Sequence, residues 1–145
     1  MFIMQHNVLG QCLCKSVEFK IENLSDKLNA CHCRMCQKWV GGPLMALEGT
    51  GELTFIKGEG LVTEYHSSEW GSRSFCSKCG SSLYYTSKHD GKYYMEVGIF
   101  ENLNSEKIEF TQQIFIDKKP HFYEFANKTK DYTEQQVLDI IAGKK

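Results

Sequence analysis

Apolar and polar residues alternate in several short stretches of this chain. Val17, Phe19 and Ile21 are interleaved with Glu18 and Lys20, Leu53 and Phe55 alternate likewise, and Val62-Thr63-Glu64-Tyr65 is rich in strand-forming side chains. A period of two sends successive side chains to opposite faces, so these stretches are predicted to be half-buried strands. Leu83-Tyr84-Tyr85-Thr86 and Tyr93-Tyr94-Met95-Glu96-Val97 flank His89-Asp90-Gly91-Lys92, and Asp-Gly between two such runs predicts a hairpin. Ile114-Phe115-Ile116 reads as a further short buried strand, ended by Asp117, a lysine pair and Pro120. A helical pattern appears at the end of the chain. There Thr133 is placed to cap, Gln136 to complete a capping box before Val137, Leu138, Ile140 and Ile141, and Gly143 to stop the helix. This helix is expected to lay Val137, Ile140 and Ile141 on the sheet. The pattern predicts a mainly β fold with one C-terminal helix. With no repeat, low-complexity segment or linker in 145 residues, residues 1–145 are read as one domain.

The composition, 41% hydrophobic and 24% charged, is that of an ordinary globular protein, and no apolar run approaches the length of a membrane span. Met1-Phe2-Ile3-Met4-Gln5-His6 has no basic region, apolar core or small-residue cleavage site, so a cytoplasmic location is expected. The net charge is −1 with both signs interspersed, and no field is available to attract a nucleic-acid backbone; neither nucleic acid nor membrane is an expected partner. Lys118-Lys119, Lys128 to Lys130 and Lys144-Lys145 read as solvated surface.

The cysteines change the picture. There are seven, an odd number, and in a reducing compartment such a set points to metal, with zinc the default for clustered thiolates. They fall in three groups: Cys12-Leu13-Cys14, Cys31-His32-Cys33-Arg34-Met35-Cys36, and Cys76-Ser77-Lys78-Cys79-Gly80. Residues two apart on an extended chain point the same way, so Cys12 with Cys14, and Cys31 with Cys33, can each offer two sulfurs to one ion. Cys76 and Cys79 form a knuckle, and Gly80 permits the backbone turn it needs. Four ligands close a structural zinc site and three leave a position open, and seven divides as four plus three. Spacing allows two divisions. Cys33 and Cys36 can join Cys76 and Cys79 in a two-knuckle site, or Cys31, Cys33 and Cys36 can act together; economy favours the second, since those three lie within six residues. His32, between two cysteines, should point away from any ion they share. His6, His66, His89 and His121 have no metal-like spacing, although His66 and Glu69 would reach the site if their loop folded over it.

Gly10-Gln11-Cys12-Leu13-Cys14, the Cys31 to Cys36 cluster and Phe75-Cys76-Ser77-Lys78-Cys79-Gly80, in that order and spacing, resemble the glutathione-dependent formaldehyde-activating family, to which centromere protein V also belongs. The resemblance runs from about Gly10 to Tyr123. It implies a β-tent of small antiparallel sheets pinned by two zinc ions. By position the structural ion falls to Cys12, Cys14, Cys76 and Cys79, and the reactive ion to Cys31, Cys33 and Cys36. The chain departs from the family at Lys15, where glycine is common, and at His121, where tryptophan is common after the proline.

Zinc held by three thiolates carries a formal charge of −1, a weak Lewis acid poorly suited to activating water and well suited to keeping a fourth, exogenous thiol ionised and nucleophilic. The resemblance thus implies a carbon–sulfur lyase working in the direction of synthesis, adding glutathione to formaldehyde to give S-hydroxymethylglutathione, with Cys31, Cys33 and Cys36 as its catalytic residues. The partners would be a small thiol and a small aldehyde. The carboxylates of glutathione call for cations, and Arg34, Lys38 and Arg73 lie near the clusters in sequence. Trp39 with Gly41-Gly42 is either pocket wall or core and turn. Two competing readings use the same residues: a zinc-pinned module that binds a thiol, an aldehyde or a protein without turnover, and a structural protein whose second ion is closed by a fourth side chain.

Overall fold

Nine strands and two α-helices make up the described part of the computed structural model, residues 4–143. The strands are β1 (Met4–Gln11), β2 (Glu18–Cys31), β3 (Leu44–Lys57), β4 (Val62–Ser68), β5 (Gly71–Cys76), β6 (Ser82–Ser87), β7 (Tyr93–Glu96), β8 (Glu109–Ile114) and β9 (Lys130–Tyr132); α1 spans Arg34–Val40 and α2 Glu134–Ile141. They form one sheet in the order β4-β5-β6-β7-β3-β2-β8-β9, with β1 paired to β2 off that path. All pairings are antiparallel except β2 with β8 and β8 with β9, which are parallel. Register shifts near Ile21 and Leu24 break the long β2–β3 ladder, as expected where two long strands bend.

The mainly β architecture expected from the alternation is present, and Phe19 and Ile21 on β2 are fully buried. They belong to the main core with Val8, Val17, Leu24, Leu47, Leu83, Tyr84, Met95 and Ile99, together with Cys12 and Cys76. Each such large apolar side chain contributes about 1.5–3 kcal/mol by leaving water. Phe19 packs edge-on against Phe55 and Tyr84, each at 5.8 Å between ring centres. A smaller cluster of Cys36, Leu44 and Ala46, flanked by Trp39, Val40 and Tyr94, forms where α1 packs on β3. The β6–β7 hairpin forms at Asp90-Gly91 as expected, with Gly91 at φ +71°.

Three local expectations need correction. Ile114-Phe115-Ile116 is not one strand: β8 ends at Ile114, Phe115 takes a left-handed backbone at φ +55°, and Ile116 begins a turn of 3-10 helix. A second helix, α1, occupies what read as a run of ligands. Finally, α2 keeps its capping box at Thr133 and Gln136, but its apolar face is covered only in part: Val137 and Ile141 are half-buried, whereas Ile140 is 57% exposed. The start of the helix is tied to the 116–118 turn: the Glu134 N–H donates to Asp117 Oδ1 at 2.9 Å, and Lys118 pairs with the Glu134 carboxylate at 3.4 Å.

Candidate metal centres and the adjoining groove

Cys12 and Cys14 lie in the loop after β1, closed by the Cys12 N–H donating to the Val17 carbonyl (3.1 Å) and the Lys15 N–H to the Cys12 carbonyl (3.0 Å). Lys15 sits at φ +65°, a conformation that costs a side chain bearing Cβ about 1 kcal/mol and that glycine adopts freely. Cys76 ends β5, and Gly80 at φ +80° lets the knuckle close, its N–H donating to the Cys76 carbonyl at 2.7 Å. The four sulfurs of Cys12, Cys14, Cys76 and Cys79 lie within 4.8 Å of one another, with Cys12–Cys14 at 3.6 Å and Cys14–Cys76 at 3.9 Å. Zinc–sulfur bonds of about 2.3 Å in a tetrahedron put sulfurs about 3.8 Å apart, so this set fits a zinc ion. The sulfurs are held from outside as well: the Val17 N–H donates to Cys12 Sγ at 3.3 Å, and the Ser81 hydroxyl lies 3.2 Å from Cys79 Sγ. That hydroxyl draws the Cys79 thiol down to about 5, whereas burial pushes Cys76 up to about 11.

The second set is built around the start of α1. Cys31 is the last residue of β2 and Cys33 the N-cap of the helix, its sulfur accepting the Cys36 N–H at 3.3 Å. Gly41, at φ +80°, ends the helix with its N–H on the Gln37 carbonyl at 2.9 Å. A cysteine sulfur thus does the capping that a serine or aspartate oxygen usually does, and the positive end of the helix favours negative charge there. The three sulfurs lie within 4.8 Å of one another, and among the described residues no fourth cysteine, histidine or carboxylate joins them. Hydrogen bonds from Cys31 and Cys36 draw the Cys33 thiol far down, while Cys31, beside Cys33 and Cys36, is pushed well above the ordinary thiol range. By themselves the three favour a single thiolate; a divalent cation lets all of them ionise.

Of the three cations expected near the cluster, Arg73 on β5 meets it. Its side chain is 6% exposed, with Nη1 at 3.7 Å from Cys36 Sγ and Nε donating to Ser67 Oγ at 3.2 Å. The guanidinium lies over the rings of Trp39 (5.0 Å) and Tyr85 (5.2 Å). Arg34 is exposed and donates to Gln37 Oε1 at 2.6 Å on its own helix, and Lys38 is exposed on α1. Beside Arg73 opens a groove of about 250 Å³ lined by Trp39, Thr63, Glu64, Tyr65 and Phe75. Trp39 therefore serves both readings, as wall of the groove and cover of the smaller core.

Three residues at this face had no sequence signal. Tyr85 pairs in register with Arg73, Tyr94 with Tyr85, and Glu96 lies opposite Ala46, which packs with Cys36. Burial pushes the Glu96 carboxyl up to about 7. Only the pairing of β5 to β6 across an irregularity at Phe75 brings Arg73 onto Tyr85, and that register was not legible in the spacing.

His32 is fully buried and turned away from the cysteines, as alternation required; burial also holds its pKa down. His66 is exposed on β4, and Glu69 lines a different cleft with Trp70, Lys88, His89 and Ile141, so neither is placed with the three thiols. His6, His89 and His121 are exposed.

Comparison with known proteins agrees with this arrangement. The profile of a family described as glutathione-dependent formaldehyde-activating enzyme matches residues 7–118. An uncharacterized lyase of Schizosaccharomyces pombe is 36% identical over 133 residues, which is 91% of this chain and 95% of the relative. A crystal structure of a Rhodobacter sphaeroides protein superposes with a TM-score of 0.57 at 24% identity, covering 71% of this chain and 99% of the other, a likeness of fold.

Proposed function

The chain belongs to the glutathione-dependent formaldehyde-activating enzyme family, and from that premise we propose that it is a carbon–sulfur lyase joining a small thiol to a small aldehyde, with glutathione and formaldehyde as the pair. The observation that carries this reading is the cluster of Cys31, Cys33 and Cys36, with no fourth protein ligand among the described residues and with Arg73, which reaches Cys36, lining a groove.

Cys12, Cys14, Cys76 and Cys79 would hold a structural zinc, and Cys31, Cys33 and Cys36 a second. When bound to three cysteines, zinc supplies an open position at which a thiol is kept ionised near neutral pH. The rest falls to the chain. In the reaction the sulfur lone pair forms a bond to the carbonyl carbon, the C=O π electrons move to oxygen, and the proton given up by the thiol ends on that oxygen; the reverse is the lyase direction. Arg73, between Trp39 and Tyr85, still has N–H donors beyond those aimed at Cys36 and Ser67, and these would receive the oxygen as it gains charge. Its positive charge also offsets the surplus negative charge of three thiolates. Trp39, Tyr65 and Phe75 line the groove with aromatic rings.

Zinc-loaded protein is expected to speed the interconversion of formaldehyde plus glutathione with S-hydroxymethylglutathione well above the rate in buffer, read at equilibrium by exchange NMR. Buffer-level exchange with both thiol clusters filled would leave a binding module as the better account.

A further inference from the structure

His32 stands between two of the three clustered cysteines, yet every polar atom it owns is bonded to a group other than those cysteines. Its N–H donates to the Ile114 carbonyl at 3.0 Å, and its carbonyl accepts from Gln37 Nε2 at 2.7 Å. Nε2 lies 2.8 Å from Gln113 Oε1 and Nδ1 lies 2.9 Å from the Tyr123 hydroxyl, and the residue is fully buried.

The chain of bonds behind the ring has a fixed direction. The Asp131 carboxylate only accepts, so the Thr129 hydroxyl gives it its one proton, at 2.6 Å. Thr129 Oγ1 is then the acceptor for Gln113 Nε2 at 2.9 Å, and this turns the amide oxygen of Gln113 toward His32. Nε2 must therefore carry the hydrogen, Nδ1 must be bare, and the Tyr123 hydroxyl must donate to it. One tautomer satisfies every member.

Much of this support lies outside the residues matched by the family profile, which end at 118. Tyr123 is set by Lys119, whose ammonium donates to the Pro120 carbonyl at 2.9 Å and to the Tyr123 carbonyl, and pairs with Glu124 at 3.0 Å. The Lys119 side chain is only 10% exposed, so this lysine is not the solvated surface residue that the basic run suggested. Gln37 adds a further tie, donating to the Lys118 carbonyl at 3.0 Å as well as to His32.

We propose that His32 is a positioning residue for the three-thiol centre, and that the segment from Lys119 to Asp131 is the brace that holds it. Cys31 ends a strand and Cys33 caps a helix, so the one residue between them, with its two peptide units, sets how far apart their sulfurs stand. Locking the ring and both backbone groups of His32 locks that residue. This inference rests on the reading of Cys31, Cys33 and Cys36 as a metal site, but not on the reaction assigned to it.

The test uses the full chain loaded with cadmium, whose NMR signals separate a four-thiolate from a three-thiolate site, together with ¹⁵N spectra of histidine. In the wild type, His32 is expected as the Nε2–H tautomer; an Nδ1–H tautomer would overturn the proposal. Tyr123→Phe and Thr129→Val each remove one hydroxyl with little change of shape and keep the core intact where His32→Ala would not. Each is expected to move the three-thiolate cadmium signal and weaken that site about 10- to 100-fold, the range typical of groups that orient ligands, while the four-thiolate signal stays in place. Unchanged affinity at the three-thiolate site, or equal weakening at both sites, would overturn it. Failure of the exchange experiment with these cadmium results intact would count against the reaction alone.

Discussion

Replacing Cys36 by serine is expected to bring thiol–aldehyde exchange down to the rate in buffer while the protein remains folded. Cys36 is one of only three sulfurs in its cluster, and it is the one Arg73 faces at 3.7 Å. Without it only two thiolates would remain, too few to hold a zinc ion there. The fold should survive because Cys36 belongs to the small cluster with Leu44 and Ala46, away from the main core, so a buried hydroxyl there costs about 1–3 kcal/mol and no more. Metal analysis should show bound zinc falling from two equivalents to one, with far-UV circular dichroism unchanged. Exchange at the wild-type rate in this variant would remove the three-thiol cluster from the reaction.

Replacing Cys76 by serine is expected to do the opposite: to abolish the folded state itself. Cys76 is fully buried in the main core and supplies one of four sulfurs that join the loop after β1 to the β5–β6 knuckle. The polar ties spanning these two loops are few, chiefly the Leu13 N–H to Ser81 Oγ at 2.9 Å and Lys78 to Ser16 at 3.3 Å. Structural zinc in small domains contributes about 10 kcal/mol or more, as large as the whole stability of a typical domain. Near-UV circular dichroism and a urea titration should show a chain with no cooperative transition. A cooperative transition within about 1 kcal/mol of the wild type would mean that the core holds these loops unaided.

These two cysteines also illustrate what was legible in the sequence. The division into four and three sulfurs followed from spacing, economy and a family resemblance, and the sulfurs do gather in those two sets. Alternation located β2, β3 and β4, Asp-Gly located the β6–β7 hairpin, and Thr133 with Gln136 located the start of α2. Helix α1 escaped notice because its cap is a cysteine, a residue read first as a metal ligand, although Gly41 after Trp39 and Val40 is the stop signal such a helix needs. Arg73 was one of three equal candidates on sequence proximity. It was singled out by burial and by pairing with Tyr85, which depend on how strands far apart in the chain are aligned. The same applies to Tyr123 and Gln113, whose contacts with His32 span 91 and 81 positions. The exposure of Ile140 was not legible because the ties at the start of α2, from Asp117 and Lys118, are polar and leave no mark on the apolar pattern.

The most direct test of the central claim is to add zinc stepwise to metal-free protein and follow, at each step, both the folded signal and the exchange rate between glutathione, formaldehyde and their adduct. The first equivalent should restore the fold through Cys12, Cys14, Cys76 and Cys79 with little exchange, and the rate should rise with the second equivalent, as Cys31, Cys33 and Cys36 fill. Full exchange at one equivalent, or none at two, would contradict the account.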